Sequence, residues 1–124
     1  IKLGNIKPSR DFTYVTDTCL AYLDFLKMKK SFGKVLNVGT KSEHKIGNIA
    51  KTILKKIHSK AKISREKQRV RSTKSEVNRL VCDNSKILKE TNWKPKVLID
   101  TGIDLTIDWF RKFKNLYKHD IYHI

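Results

Sequence analysis

Few side chains in this sequence are spaced for chemistry, and Arg10 is the most suggestive of them. It stands in the stretch Pro8-Ser9-Arg10-Asp11-Phe12-Thr13-Tyr14-Val15-Thr16-Asp17, where proline and serine set a turn. An arginine held on such a turn presents a planar fork of fixed geometry, suited to bidentate capture of phosphate. A salt bridge to a neighbouring acid is the other use of the same guanidinium. Asp11 is expected to tie the turn through backbone amides, and Thr16 or Asp17 to cap a helix. His119 and His123 lie four apart and could face one metal from a helix, but they sit in a terminal tail without a third ligand. Cys19 and Cys82 show no C-x-x-C spacing and no nearby ligand partners, so a buried, reduced pair is expected.

The elements that must position these residues are read from periodicity. Ile1-Lys2-Leu3 reads as a strand and Gly4-Asn5 as a turn. Phe12, Tyr14 and Val15 favour a short strand. A helix is expected from about Asp17 to Lys30, with Leu20, Leu23 and Leu26 along one side and lysines at its end. After the break at Phe32-Gly33, Val35-Leu36-Asn37-Val38-Gly39 has the character of a parallel strand covered on both faces. The sequence offers it no evident parallel partners. With a start on apolar residues and no methionine, this mismatch leads to the expectation of a piece of something larger. Ile46, Ile49, Ala50, Ile53, Leu54 and Ile57 define the clearest helix, whose apolar face must be buried.

Ala61-Lys62-Ile63 is a candidate strand, and Glu76 to Asp83 reads as loop and short strand. Asp83 then caps a short helix, which Trp93-Lys94-Pro95 ends, because the residue before proline leaves the helical region. The last helix is expected from about Thr101 to Lys114, with Ile103, Thr106, Ile107, Phe110 and Phe113 on one face. Asp100 and Asp104 near its start and Arg111, Lys112 and Lys114 near its end suit the macrodipole. Trp93 and Trp109 are expected in the core. Residues 1–116 form one part, and 117–124 a tail without pattern.

The 124 residues suffice for one small domain, and an apolar fraction of 39% is too high for a disordered polycation despite a net charge of +16. Most of that charge is lysine on the polar sides of the predicted helices and is read as a solvated surface. A small basic nucleic-acid-binding module is the competing reading of a different class, and steep salt dependence would mark it. No apolar run approaches a membrane span, and no signal segment opens the sequence, so a cytoplasmic location is expected.

Four blocks resemble one family, the NAD-dependent epimerases and dehydratases among the extended short-chain dehydrogenase/reductases. The first is the stretch around Arg10. The second, Asn37-Val38-Gly39-Thr40, is similar to the family's Asn-Val/Ile-Gly-Ser/Thr strand end. The third runs from Arg71 through Ser75-Glu76-Val77-Asn78-Arg79-Leu80 to Asp83-Asn84-Ser85-Lys86. The fourth is Trp93-Lys94-Pro95 with Gly102 and Ile107-Asp108-Trp109-Phe110. The third block is most similar to that of nucleotide-sugar 4,6-dehydratases. The resemblance implies an α/β fold: the C-terminal part of an extended Rossmann-type enzyme, with a few short strands and about four helices, its N-terminal dinucleotide-binding half absent from the sequence.

The resemblance also implies roles. Arg10 and Arg71 match the two arginines on the nucleotide diphosphate, Glu76 the acid on a ribose hydroxyl, and the backbone of Lys2 and Leu3 the edge that meets the base. The intact enzyme would use NAD or NADP to oxidise a nucleotide-sugar at C4, eliminate water across C5–C6 and return the hydride, as a homodimer; a 4-epimerase of the same family is the alternative. Neither membrane nor nucleic acid is an expected partner. Three positions depart from the pattern. Lys41 replaces a glycine, Ser72 replaces the proline after Arg71, and Lys45 stands where Ser or Thr caps the 46–57 helix, a loss of about 1 kcal/mol unless Ser42 substitutes.

The family's chemistry needs a glycine-rich dinucleotide turn and a Tyr-x-x-x-Lys pair. The sequence has no Gly-x-Gly-x-x-Gly, and Tyr14 and Tyr22 are followed four residues on by Thr18 and Leu26. These residues alone are therefore expected to be inert, with no catalytic or cofactor-binding side chain among them.

Overall fold

A computed structural model describes residues 1–29, 32–70, 72 and 75–116. Arg71, His119, His123 and the rest of the 117–124 tail lie outside the described residues. Short strands and helices are arranged in the order β1 (Lys2–Leu3), β2 (Ser9–Arg10), α1 (Val15–Lys27), β3 (His44–Lys45), α2 (Ile46–Lys56), β4 (Ser64–Arg65), β5 (Arg79–Leu80), α3 (Ser85–Glu90) and α4 (Ile99–Lys112). Strand β1 pairs in parallel with β4. Strand β2 is the centre of the second sheet, antiparallel to β3 and parallel to β5. This is the expected α/β composition.

The core forms where α1 meets the Trp93 turn. Ala21, Ile87 and Trp93 are buried together, with Phe25, Leu36 and Val38 packed against them. Asp17 organises the contact and is not a cap. It is 1% exposed, and its Oδ2 accepts from the amides of Lys96 at 3.0 Å and Val97 at 2.9 Å. The Trp93 Nε1 donates to the Asp17 carbonyl at 2.8 Å. The N-cap of α1 is Tyr14, without a side-chain bond. So α1 buries Asp17 and Ala21 and partly covers Phe25, one helical stripe, while Leu20, Leu23 and Leu26 of the expected stripe are exposed.

Several expectations shift for local reasons. The ladder of β2 ends at Arg10, so Phe12 and Tyr14 are not in a strand and Val15 opens the helix. Residues 35–39 form no strand: no described strand pairs with them, and Val35 is 81% exposed. The strand expected at 61–63 lies instead at Ser64–Arg65, where the amides of Ser64 and Glu66 donate to the carbonyls of Ile1 and Leu3. Asn84 occupies the N-cap of α3, while Asp83 accepts from the Ser85 amide at 3.1 Å from one position earlier. Trp109 is exposed rather than core, stacking edge-on to Phe110 at 5.3 Å.

Helix α2 also starts without a side-chain cap, from Lys45 or from Ser42. Backbone carbonyls replace it: the Ile46 amide donates to Pro8 and the Gly47 amide to Ile6, both at 3.0 Å. This satisfies first-turn donors that would otherwise be orphaned and ties α2 to the segment before Arg10. Lys56, near the other end, reaches across to Asp100 at 2.9 Å and Asp104 at 2.8 Å on α4. The apolar face of α2 is only partly covered, since Ile53 and Ile57 remain exposed along a groove of about 650 Å³ between α2 and α4.

Asp17→Ala is expected to destabilise the fold by roughly 2–3 kcal/mol, because two amides lose their acceptor. Asp17→Asn, which keeps one oxygen, should cost less. Urea unfolding of the three proteins measures both differences.

Candidate functional site

The site is built outward from β2. Ser9 lies opposite Lys45 and Arg79, and Arg10 opposite His44 and Leu80. The Ser9 amide donates to Asn78 at 2.9 Å and the Asp11 amide to Leu80 at 3.0 Å, which locks the register on the β5 side. Asp11 anchors the end of the strand. Its Oδ1 accepts from the Thr40 amide at 3.1 Å, and its Oδ2 from the amides of Lys41 at 2.8 Å and Cys82 at 3.2 Å. It therefore joins two distant segments to the strand, a wider task than tying its own turn. Gly39 is required here: a Cβ would collide with the Cys82 side chain and come within 3.0 Å of Asp11 Oδ2.

On this frame the Arg10 guanidinium makes two bonds. Its Nη1 donates to the Ser9 carbonyl at 2.8 Å, and its Nη2 to Glu76 Oε1 at 3.3 Å. The two side chains are 24% and 12% exposed. Two of the predicted site residues, 66 apart in sequence, are thus brought into contact. The ion pair is also the alternative use of Arg10 weighed from the sequence, with Glu76 as its acid.

Lys2 and Leu3 stand elsewhere, in the β1–β4 sheet. The Leu3 carbonyl accepts from the Glu66 amide at 2.8 Å, and Lys2 Nζ lies 3.2 Å from the Glu66 carboxylate, which also pairs with Arg69. Their polar contacts run to β4 and Glu66, not to Arg10 or Glu76. Since β4 takes the carbonyls of Ile1 and Leu3, strand alternation turns the Lys2 amide and carbonyl toward the opposite edge. Arg71 lies outside the described residues.

Two carboxylates near these strands are shifted by their partners. The Ser9 hydroxyl, then the Arg79 guanidinium, hold Glu43 below the usual carboxylate range. Arg69, then Lys2, do the same for Glu66. Neither is singled out from the sequence; strand register brings Ser9 and Arg79 to Glu43, while Arg69 lies only three residues from Glu66. Burial, then Asp11, push the Cys82 thiol up. The cysteines are not a buried pair: both are free, and Cys19 is exposed on α1.

The groove between α2 and α4 is lined by apolar side chains such as Ile49, Ile53, Ile103 and Phe110, and it touches none of the described site residues Lys2, Leu3, Arg10 and Glu76. Arg10 and Glu76 carry the polar chemistry, so the candidate site is placed there. Among the described residues no group of three His, Cys, Asp or Glu could hold a metal, and no helix is long and apolar enough to cross a membrane. Gly4 and Gly39 approach the Arg69 backbone and the Cys82 side chain, so these two close approaches face protein.

The central strand carrying Arg10, the distant acid folded onto it and the Trp-Lys-Pro turn before the last long helix belong to the blocks whose sequence resembles the NAD-dependent epimerase/dehydratase class. The model of the GDP-mannose 4,6 dehydratase family matches residues 1–106, and the chain belongs to that family. It is 31% identical over 122 residues to human dTDP-D-glucose 4,6-dehydratase, covering 93% of this chain and 34% of that protein. In fold it matches an epimerase from Methanothermobacter thermautotrophicus with a TM-score of 0.84 at 22% identity, over 93% of this chain and 34% of the other. The UDP-glucuronic acid 4-epimerase of Bacillus cereus, solved with UDP-glucuronic acid and NAD, gives a TM-score of 0.77 at 27% identity over 94% of this chain and 35% of the other. The chain thus spans about a third of the length of these relatives.

The lowered acids Glu43 and Glu66 contribute to the pH response of the fold. A carboxylate whose pKa is depressed by folding contributes stability above its unfolded value, and that contribution is lost as pH falls through the folded one. Stability is therefore expected to drop on acidification below about pH 4.5, the ordinary value for Glu43 and Glu66. The double variant Glu43→Gln/Glu66→Gln should show a shallower acid limb in thermal melts across about pH 3 to 6.

Proposed function

We propose that these residues are the nucleotide-sugar-binding part of an NAD-dependent sugar-nucleotide 4,6-dehydratase, working with a catalytic half that lies outside them. Arg10 and Arg71 grip the diphosphate, Glu76 accepts from the ribose, and the backbone edge at Lys2 and Leu3 meets the base. The observation that carries this reading is the 3.3 Å approach of Glu76 to Arg10. It brings a phosphate-type donor and a diol-type acceptor to one place. A nucleoside diphosphate held there delivers its hexose to the catalytic half, and binding energy from the remote nucleotide then supports reaction at the sugar.

The match to the 4,6-dehydratase family model favours dehydration. The exposed apolar side chains Leu20, Leu23 and Leu26 on α1, with Val35, are the surface on which a second half would pack. Nicotinamide chemistry belongs to that half, and no proton or hydride step is assigned to these residues. The second reading, a 4-epimerase, is favoured by the 27% identity to the UDP-glucuronic acid 4-epimerase. Product analysis separates the two: a 4-keto-6-deoxy sugar marks the dehydratase, and the C4 epimer alone marks the epimerase.

Titration calorimetry of UDP-, GDP- and dTDP-sugars against the full-length protein tests the site. Arg10→Ala should weaken binding by at least about tenfold, since a hydrogen bond to a charged group contributes about 1.5–3 kcal/mol. Unchanged affinity would remove Arg10 from the phosphate site.

A further inference from the structure

In the proposed function Arg10 and Glu76 serve different parts of one ligand, and the inference drawn from their pairing rests on that reading. They bond each other: Arg10 Nη2 donates to Glu76 Oε1 at 3.3 Å, and Nη1 donates to the Ser9 carbonyl at 2.8 Å. The carboxylate lies against the guanidinium as a phosphate oxygen would. With Arg10 24% exposed and Glu76 12% exposed, the pair is partly withdrawn from water but still open to exchange. Among the described residues, the charged neighbours on the flanking strands are paired elsewhere or offset from Arg10. Lys45 and Arg79 fall opposite Ser9 rather than Arg10, and Arg79 is bonded to Glu43 at 2.8 Å. His44 and Leu80 stand opposite Arg10 itself.

We propose that Glu76 is an internal stand-in for phosphate, and that it makes the site select nucleoside diphosphates against bare phosphates. An incoming diphosphate that takes the Nη2 edge displaces Glu76 from Arg10. A free phosphate or pyrophosphate offers the displaced carboxylate nothing, and leaves it as a like charge beside the bound anion. A nucleoside diphosphate supplies the ribose hydroxyls, from which that carboxylate accepts. The same residue therefore repels one class of anion and recognises the other. A merely structural Glu76 would act in the opposite sense, because removing it would leave Arg10 poorly placed and weaken every anion.

The test compares inorganic pyrophosphate and UDP by calorimetry on the full-length protein and its Glu76→Gln variant. Glu76→Gln should bind pyrophosphate about 3- to 10-fold more tightly, the scale of a partly exposed ion pair, and the preference for UDP over pyrophosphate should shrink by at least that factor. Pyrophosphate affinity that is unchanged or lower in Glu76→Gln overturns the proposal. If Glu76→Gln does not fold by circular dichroism, Glu76→Asp takes its place. It keeps the charge but withdraws it from Arg10, and it should show a gain in the same direction; no gain again overturns the stand-in role. Combining the effective variant with Arg10→Ala should abolish the gain. A gain that persists overturns the phosphate assignment of Arg10 itself, and so separates the failure of that reading from the failure of this one.

Discussion

The carboxylate of Asp11 is the constraint on which the position of Arg10 depends. Three backbone amides, from Thr40, Lys41 and Cys82, converge on its two oxygens. Those amides belong to segments about 30 and 70 residues further along the chain, so one side chain closes two long loops. Closing such loops carries an entropic cost that grows slowly with length, and charge-assisted bonds of this kind help to offset it. The result is a short strand whose direction and register are fixed on both sides, with the adjacent guanidinium aimed at Glu76. A lysine could not replace Arg10 there and still bond both the Ser9 carbonyl and Glu76 through separate nitrogens.

Asp17 does at the far end of the same stretch what Asp11 does near its middle. Both acids come after a turn or helix start, where a sequence suggests local capping, and both reach instead to backbone from remote segments. The difference is energetic. A cap satisfies one orphan donor, whereas Asp17 satisfies two amides of the Trp93 turn and lies beside the carbonyl that receives the indole N–H. The long-range use wins because it closes the tightly packed part of the described core.

The fold class, the existence of four helices and the family were legible in the sequence, because they rest on periodic or ordered patterns spread over many residues. The two ends of the candidate site, Arg10 and Glu76, were legible as members of separate blocks. Their contact was not, since nothing in a linear pattern reports that residues 66 apart meet. The exposed leucines of α1 and the unpaired run at 35–39 show why burial was the least legible property. Periodicity identifies an apolar face but not the surface that covers it. Glu43 escaped notice because its partners Ser9 and Arg79 are fixed by strand register, and the Lys2 contact of Glu66 likewise has no local signature.

Lys56 sits between two carboxylates that are four residues apart on α4, a spacing of about 6 Å along the axis. Such a socket has two rungs. If α4 slides against α2 by a fraction of a turn, the ammonium can lean toward one acid as it leaves the other, without passing through an unpaired state. The helices are thus joined at one end by a coupling that resists separation yet yields to translation, while the carbonyls of Ile6 and Pro8 pin the opposite end of α2 rigidly. Relative motion of α2 and α4 at this end is thus expected to be a short slide rather than an opening of the apolar groove.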